Sequence, residues 1–453
     1  MTRVVVLTGD PIGAKMAGPA IRAWNMALLL SAEHEVVLAT TTILEDGVQA
    51  PFAIEQVRPG QNREFSRLER WAEVIVFQGH GMDQFDALRT TDRIVVVDIY
   101  DPMHLEMLEQ GRELPFATWE LRVSTATRVL NQQLARGDFF LCSSERQRLF
   151  YLGQLAALGR LNPTTYRDDP HLAGLIAVAP FGLDATPPVH ERPALRSVVP
   201  GIGPDDRLLI WGGGVYSWFD PKTLIRAVAE LAERRDNVRL YFLGTRHPGV
   251  EEMGIVKESL DLAGDLGVLG SSVFFNEDWV DFAERQNFLT EADAGVSTHF
   301  SHIETTFSFR TRILDYLWAG LPMVVTEGDS FAELVEREQL GIVVPSENVA
   351  VLSAALERVL FDDEFAAAAR ENVRRVAADF TWAKTLEPLV EFVRHPHHAA
   401  DTTGGQNRPG PSVGPGRKPY GFRHDLSMAW HHLRNSGPRT AFSKLVGRLR
   451  RRA

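Results

Sequence analysis

The stretch His302-Ile-Glu-Thr-Thr-Phe-Ser-Phe-Arg-Thr-Arg-Ile-Leu-Asp-Tyr-Leu-Trp-Ala-Gly-Leu-Pro322, followed by the apolar Met323-Val-Val-Thr326, reads as a helix feeding a buried strand. Ser308 is placed as the N-cap, Ile313, Leu314, Leu317 and Trp318 fall on one face, and Gly320 with Pro322 ends the helix. A helix of this kind between apolar strands is a unit of a parallel α/β sheet, with its N-terminus aimed at the carboxyl ends of the strands. Free backbone N–H groups there, the positive end of the helix dipole and Arg310 in the first turn make an anion site suited to a diphosphate. Asp315, one turn beyond Thr311, can accept hydrogen bonds from the two hydroxyls of a ribose, and Glu304 stands just upstream. Two arginines and two acids around one helix start favour this reading over a surface helix with solvated charges.

The same alternation extends in both directions. Short apolar runs at Arg3–Leu7, Val36–Ala39, Val74–Phe77, Ile94–Val97, Phe139–Cys142 and Leu175–Val178 are separated by helix-length amphipathic stretches. A second series runs through Leu208–Trp211, Val238–Leu243, Val273–Phe275, Ala294–Ser297, Met323–Thr326 and Ile342–Val344, with the helical stretch Ala383–Arg394 as its last element. Two such series predict an α/β protein of two Rossmann-like doubly wound domains facing a central cleft, residues 1–184 and 206–395, joined by a Pro-rich connector at 185–205. Gly18–Leu30 is the first helix, with Ile21, Trp24 and Leu28 read as its core face and Arg22 and Asn25 on the opposite side.

From His395 onward the composition turns to His, Pro, Gly and small polar residues, so residues 396–422 are expected to form a disordered linker. Residues 423–453 read as a basic amphipathic tail in which Phe442, Leu445, Val446 and Leu449 share a face among Lys444, Arg448, Arg450 and Arg451. The formal charge of −11 therefore averages two unlike parts: residues 402–453 hold eleven Lys/Arg against one acid, leaving −21 for the rest. An acidic body excludes a general nucleic-acid binder, whereas the tail suits an anionic membrane surface. In 453 residues, 44% hydrophobic and 24% charged, a disordered, collagenous or coiled-coil chain is excluded too. One cysteine, Cys142, rules out an internal disulfide or a Cys-based zinc site and fits a reducing compartment, with the cytoplasm as default. The opening apolar run of four residues is too short for a signal-peptide core, and no stretch nears the ~18 apolar residues of a membrane span. Membrane contact, if made, is thus expected to be peripheral, on the inner face.

Motifs of other chemistries are missing: Gly212-Gly213-Gly214-Val215-Tyr216-Ser217 lacks the third glycine of a dinucleotide fingerprint, and there is no P-loop, HExxH or GxSxG. Gly213 and Gly214 still let backbone approach a phosphate or sugar closely, although a tight turn alone would need the same glycines. His80, and Asp101 with His104, follow the ends of two strands and so point at the cleft. Each histidine stands equally for contact with substrate and for capping a strand end.

These segments together resemble a GT-B-fold glycosyltransferase of the retaining, family-4-like kind, the glycosyl transferases group 1. Phe309 to Thr326 is similar to the second half of that family's E-x-F-G-x-x-x-x-E-A-x-A-x-G-x-P motif through Asp315, Ala319, Gly320, Pro322 and the following strand. Pro180-Phe-Gly-Leu-Asp184 resembles its P-N-G-V-D, Leu224-Ile-Arg-Ala227 its L-I-x-A helix, and Phe288 to Ser297 its L-x-x-A-D strand approach. Two departures stand out: Asp315 replaces the second Glu, and Phe307 stands eight residues before it, so Glu304 serves as the first acid only through a longer loop. The family's diphosphate-gripping Arg and Lys after the glycine loop are replaced by Tyr216, Trp218 and Phe219, leaving Arg310 and Arg246 as candidates and Arg312 as one turned into the domain.

The resemblance implies transfer of a sugar from a nucleotide-sugar donor to a glycan, lipid-linked or envelope acceptor, with no cofactor and no metal. It implies donor contacts from Gly213, Gly214, Arg246, Ser308, Phe309, Thr311 and Asp315, stabilisation of the departing diphosphate by Arg310, and sugar or acceptor contacts from His80, Asp101, His104 and Glu304. Gly18 stands at the glycine-rich loop of such enzymes, and Trp279-Val280 where the nucleobase would lie, a place that core packing explains equally. A sugar-nucleotide epimerase or hydrolase, or a non-catalytic partner subunit, would use the same fold.

Overall fold

The computed structural model describes residues 1–402 apart from Lys15, residues 246–253, Asp278, Trp279 and Phe282. Within Met1–Gly404, a single compact unit, lie two all-parallel sheets. The first has the order β3-β2-β1-β4-β5-β6-β7, from β1 (Arg3–Thr8), β2 (Glu35–Thr40), β3 (Ala53–Gln56), β4 (Val74–Gln78), β5 (Ile94–Asp98), β6 (Phe139–Cys142) and β7 (Ile176–Val178). The second has the order β10-β9-β8-β11-β12-β13, from β8 (Arg207–Trp211), β9 (Val238–Phe242), β10 (Val273–Phe275), β11 (Ala294–Ser297), β12 (Met323–Thr326) and β13 (Gly341–Val344). In each sheet the order reverses beside the first strand, between β1 and β4 and between β8 and β11, which opens a crevice at the carboxyl ends. Central strands read as continuous apolar runs because helices cover both faces, as in Val4–Leu7 and Leu208–Trp211, all at most 1% exposed. No helix among the described residues is long and apolar enough to cross a membrane.

The first helix, Gly18–Ser31, turns a different face inward from the one its large apolar residues suggest. Ala20, Ala23, Met26, Ala27 and Leu30 are buried, whereas Leu28 is 40% exposed and Trp24 packs edge-on against Phe52 at the rim. The alanine stripe lets the helix seat close to the sheet, and Arg22 goes in with it. Its guanidinium is fully buried, donating from Nε and Nη2 to Asp98 at 2.7 and 2.8 Å, from Nη2 to Ala179 O at 2.7 Å and from Nη1 to Pro180 O at 2.9 Å. Gln78 Nε2 adds a bond to Asp98 at 2.9 Å, and Thr8 Oγ1 one to Gln78 at 3.3 Å. One charge thus gathers the carboxyl ends of β1, β4 and β5 with the chain segment leaving the first domain.

Two expected boundaries move. The helix Glu387–Arg394 does not close the second domain: Leu389, Phe392 and Val393 pack into the core under β1, β4 and β6, with Phe392 stacked on Phe139 at 4.3 Å. Residues 396–402 are likewise held rather than free. Ala399 is 4% exposed, Asp401 pairs with Arg160, and Thr402 Oγ1 donates to Asp138 at 3.2 Å, so an ion pair and a hydrogen bond hold a stretch whose composition is poor in apolar area. The remainder of the expected linker and the basic tail lie outside the described residues.

Candidate active site

The glycine loop after β8 is supported from below. Gly213 has φ +75°, the left-handed region where a side chain would be strained. Gly212 N donates to the Tyr316 hydroxyl at 2.9 Å, and that hydroxyl lies 2.8 Å from Val296 O. The ring fits because Gly295 has no side chain: a Cβ there would stand 2.4 Å from it. Arg312 Nη2 donates to Gly214 O at 2.8 Å, its guanidinium sandwiched over Trp211 at 4.2 Å and Phe219 at 4.0 Å, and burial pulls its pKa down to about 10. Arg312 therefore turns into the domain, as its position in the sequence suggests, and carries the loop.

Ser308 does not cap the helix that follows. It ends a short helix, Ile303–Phe307, where its N–H donates to Glu304 O at 2.8 Å and its hydroxyl to Thr305 O at 3.1 Å. The chain then runs extended so that Phe309 packs against Phe331 at 4.6 Å and Phe181 at 6.2 Å, and the next helix, Arg312–Trp318, has only seven residues, with Thr311 at its exposed start making no side-chain cap. Phe309 is thus a packing residue. Arg310 is not at a helix start facing the cleft as a free cation: it is 5% exposed and donates from Nη1 and Nη2 to both oxygens of Glu304 at 3.0 and 2.8 Å. Glu304 is itself 4% exposed, and the His302 ring beside it accepts from Thr305 N at 3.2 Å and caps the short helix. Asp315 faces elsewhere, its Oδ1 accepting from Arg285 Nε at 3.0 Å while that guanidinium covers Trp318 at 4.5 Å.

The first domain meets this corner through Met103–Gln110. The carboxyl of Asp101, in the turn before that helix, shares a hydrogen bond with Glu106; burial first, then Glu106 and Glu304, hold Asp101 well above the usual carboxylate range, against the opposing pull of Arg310. Burial raises Glu106 as well, and Gln110 Nε2 donates to it at 2.8 Å. Three carboxyls and one guanidinium share this corner, so burial and two neighbouring like charges oppose the ionisation of Asp101. Glu109 lies 4.0 Å from His302 Nε2. His104 is buried flat against Phe150 at 5.6 Å, and desolvation pulls its pKa to about 4, which leaves it neutral. His80 is exposed, and its imidazole caps no helix end. Gly18 opens its helix, where a Cβ would meet Phe181 at an ordinary 3.7 Å.

The structure thus brings Asp101, Glu304 and Arg310 together and adds Glu106, Glu109 and His302, while His80 and Asp315 stand apart from the cluster. Val280 packs against the core of the second domain; Arg246 and Trp279 lie outside the described residues. Glu106 and Arg285 are absent from the expectations drawn on sequence. The only signal for Glu106 is its place one helical turn beyond the Asp101-Pro-Met segment.

Residues 205–362 match the family model described as glycosyl transferases group 1. The chain is 27% identical over 284 residues to a D-inositol 3-phosphate glycosyltransferase of Saccharomonospora viridis, covering 60% of this chain and 63% of that one, so it spans less than two thirds of that relative's length. Among solved structures it is similar to a sucrose-phosphate synthase from Thermosynechococcus elongatus, with TM-score 0.63 at 14% identity over 87% of this chain and 98% of that one. It is also similar to HepE from Anabaena in complex with UDP-glucose, with TM-score 0.60 at 15% identity over 87% and 100%. The two sheets form the GT-B fold of those structures.

Proposed function

We propose that this chain, whose residues 205–362 match the glycosyl transferases group 1, moves a sugar from a nucleotide-sugar donor to a glycan or lipid-linked acceptor with retention of configuration. The observation that carries the reading is the buried Glu304–Arg310 pair facing Asp101 and Glu106 beside the glycine loop, at the carboxyl ends of two parallel sheets. Structural neighbours crystallised with UDP-glucose and with UDP-2-fluoro glucose support a nucleotide-sugar donor. In this reading the ribose hydroxyls donate to Asp315, which keeps a partly open carboxylate, and the sugar hydroxyls to Glu304, whose direction Arg310 sets. The backbone N–H groups of the Gly213–Gly214 turn meet the departing diphosphate, an electrostatic role that needs no metal. The acceptor hydroxyl attacks on the face the diphosphate leaves and passes its proton to a phosphate oxygen. Burial of the cleft keeps water from the activated sugar.

A thermal-shift screen with UDP-, GDP-, ADP- and dTDP-sugars identifies the donor, since a ligand of the native state raises its stability. With that donor, Asp315→Ala should raise the KM about tenfold and leave kcat within about twofold, the pattern of lost ground-state binding. An unchanged KM would remove Asp315 from the ribose site. Product analysis with and without acceptor separates transfer from epimerisation or hydrolysis. The capture of Glu304 by Arg310 favours one second reading, a subunit that binds nucleotide-sugar without turnover; binding with no product in any acceptor extract would establish it.

The proposal extends to a cytoplasmic protein whose basic residues 423–453 rest on anionic lipid, at about 1 kcal/mol per basic residue near the surface. The full chain should float with phosphatidylserine liposomes and a chain ending at 402 should not. Equal flotation would discard the idea.

A further inference from the structure

We infer that Gln147 is a positioning residue of the cleft: its single carboxamide nitrogen ties the loop carrying Asp101 in the first domain to the helix carrying Glu304 in the second. Gln147 lies in the first turn of the helix Glu145–Ala157 and is fully buried. Its Nε2 donates to Tyr100 O at 2.9 Å and to Phe307 O at 2.8 Å, and its Oε1 accepts from Ser143 N at 2.8 Å. Tyr100 immediately precedes Asp101, and Phe307 ends the short helix that bears Glu304. Both amide protons are therefore used, one on each domain, and the acceptor holds the amide plane in place from its own helix start.

Neighbours on the same helix strengthen the clasp. Arg146 reaches Thr306 O at 3.4 Å and also bonds Gly328 O and Glu333, while Phe150 packs on Phe307 at 4.5 Å. Of these groups only Gln147 touches the backbone beside both acids. Two carbonyls bonded to one nitrogen have little freedom to separate, so the gap between Asp101 and Glu304, where the sugar would be gripped, is fixed by a residue that need not touch substrate. Misplacement of such a gap by about 1 Å costs rate rather than affinity.

The inference rests on the glycosyl-transfer reading for its kinetic test alone, so two measurements on the full chain are paired. Gln147→Glu keeps the length and the acceptor for Ser143 N but, as a carboxylate, donates nothing; Gln147→Leu removes all three bonds. Both should lower kcat about 100-fold while donor KM stays within about threefold. Spin labels on Arg63→Cys and Glu364→Cys, both exposed positions in opposite domains, report the spacing directly; buried Cys142, its thiol pushed up to about 12 by burial, stays unlabelled. A single narrow distance in the parent chain should broaden and lengthen in both Gln147 variants. An unchanged distance distribution, or a folded Gln147→Glu chain with kcat within about twofold of the parent, overturns the assignment. If the parent transfers no sugar, the functional reading fails, and the label distances still decide Gln147.

Discussion

Glu304→Gln should leave the chain folded and the nucleotide-sugar bound while reducing transfer by about two to three orders of magnitude. Glutamine has the size of glutamate and can still accept one bond from Arg310. It offers no negative charge to the sugar hydroxyls, and it leaves a guanidinium that is 5% exposed without its counter-charge. Arg310→Lys should share much of the loss, because a single ammonium cannot hold both carboxylate oxygens in the plane that the fork fixes. The check is product formation under saturating donor together with the donor-induced thermal shift. Activity within about threefold of the parent in Glu304→Gln would remove this pair from the reaction, leaving it a structural ion pair.

Arg22→Met should destabilise the first domain by about 3–5 kcal/mol, the range for breaking a buried ion pair and stranding its partner. Here the stranded group is Asp98, fully buried and left with the carboxamide of Gln78 as a side-chain donor, while the carbonyls of Ala179 and Pro180 lose the guanidinium. Arg22→Met combined with Asp98→Asn should recover about half of the loss, since the amide removes the stranded charge and keeps the bond from Gln78. Denaturant unfolding followed by a probe in the first domain reads both. A single-variant loss below about 1 kcal/mol would mean that the charge pair contributes little beyond its packing.

The fold was legible because parallel strands covered on both sides are short apolar runs, and twelve of the thirteen strands coincide with such runs in the sequence. The thirteenth, Ala53-Ile-Glu-Gln56, is a half-exposed edge strand with no such run. In Gly18–Ser31 the periodicity points the large apolar residues inward, whereas close seating on a sheet selects alanines, and Asp98, 76 residues away, draws Arg22 inward. The local pattern marks Ser308 as a cap, but Phe309 packs against Phe181 and Phe331, which no local pattern shows, and the chain runs straight there. The site divides in the same manner. Asp101 follows the end of β5, and Glu304 and Arg310 lie between β11 and the helix Arg312–Trp318, so all three could be named from sequence, but the pairing of Arg310 with Glu304 in place of an open cation depends on how the short helix turns. Glu106 acquires its role through Asp101 in its own domain and the charges of Glu304 and Arg310 in the other, and Gln147 through its bonds to both domains.

Because the helix Glu387–Arg394 returns to the first sheet, the second domain is an insertion, entered and left by two adjacent crossings. These are stitched together where Leu183 N donates to Phe380 O at 2.8 Å and Trp382 N to Leu183 O at 3.2 Å. The last described residue, Thr402, is anchored on Asp138 beside β6. A pull applied at Thr402 is therefore borne by the first domain, and the double strand that leads to the second domain carries none of that load.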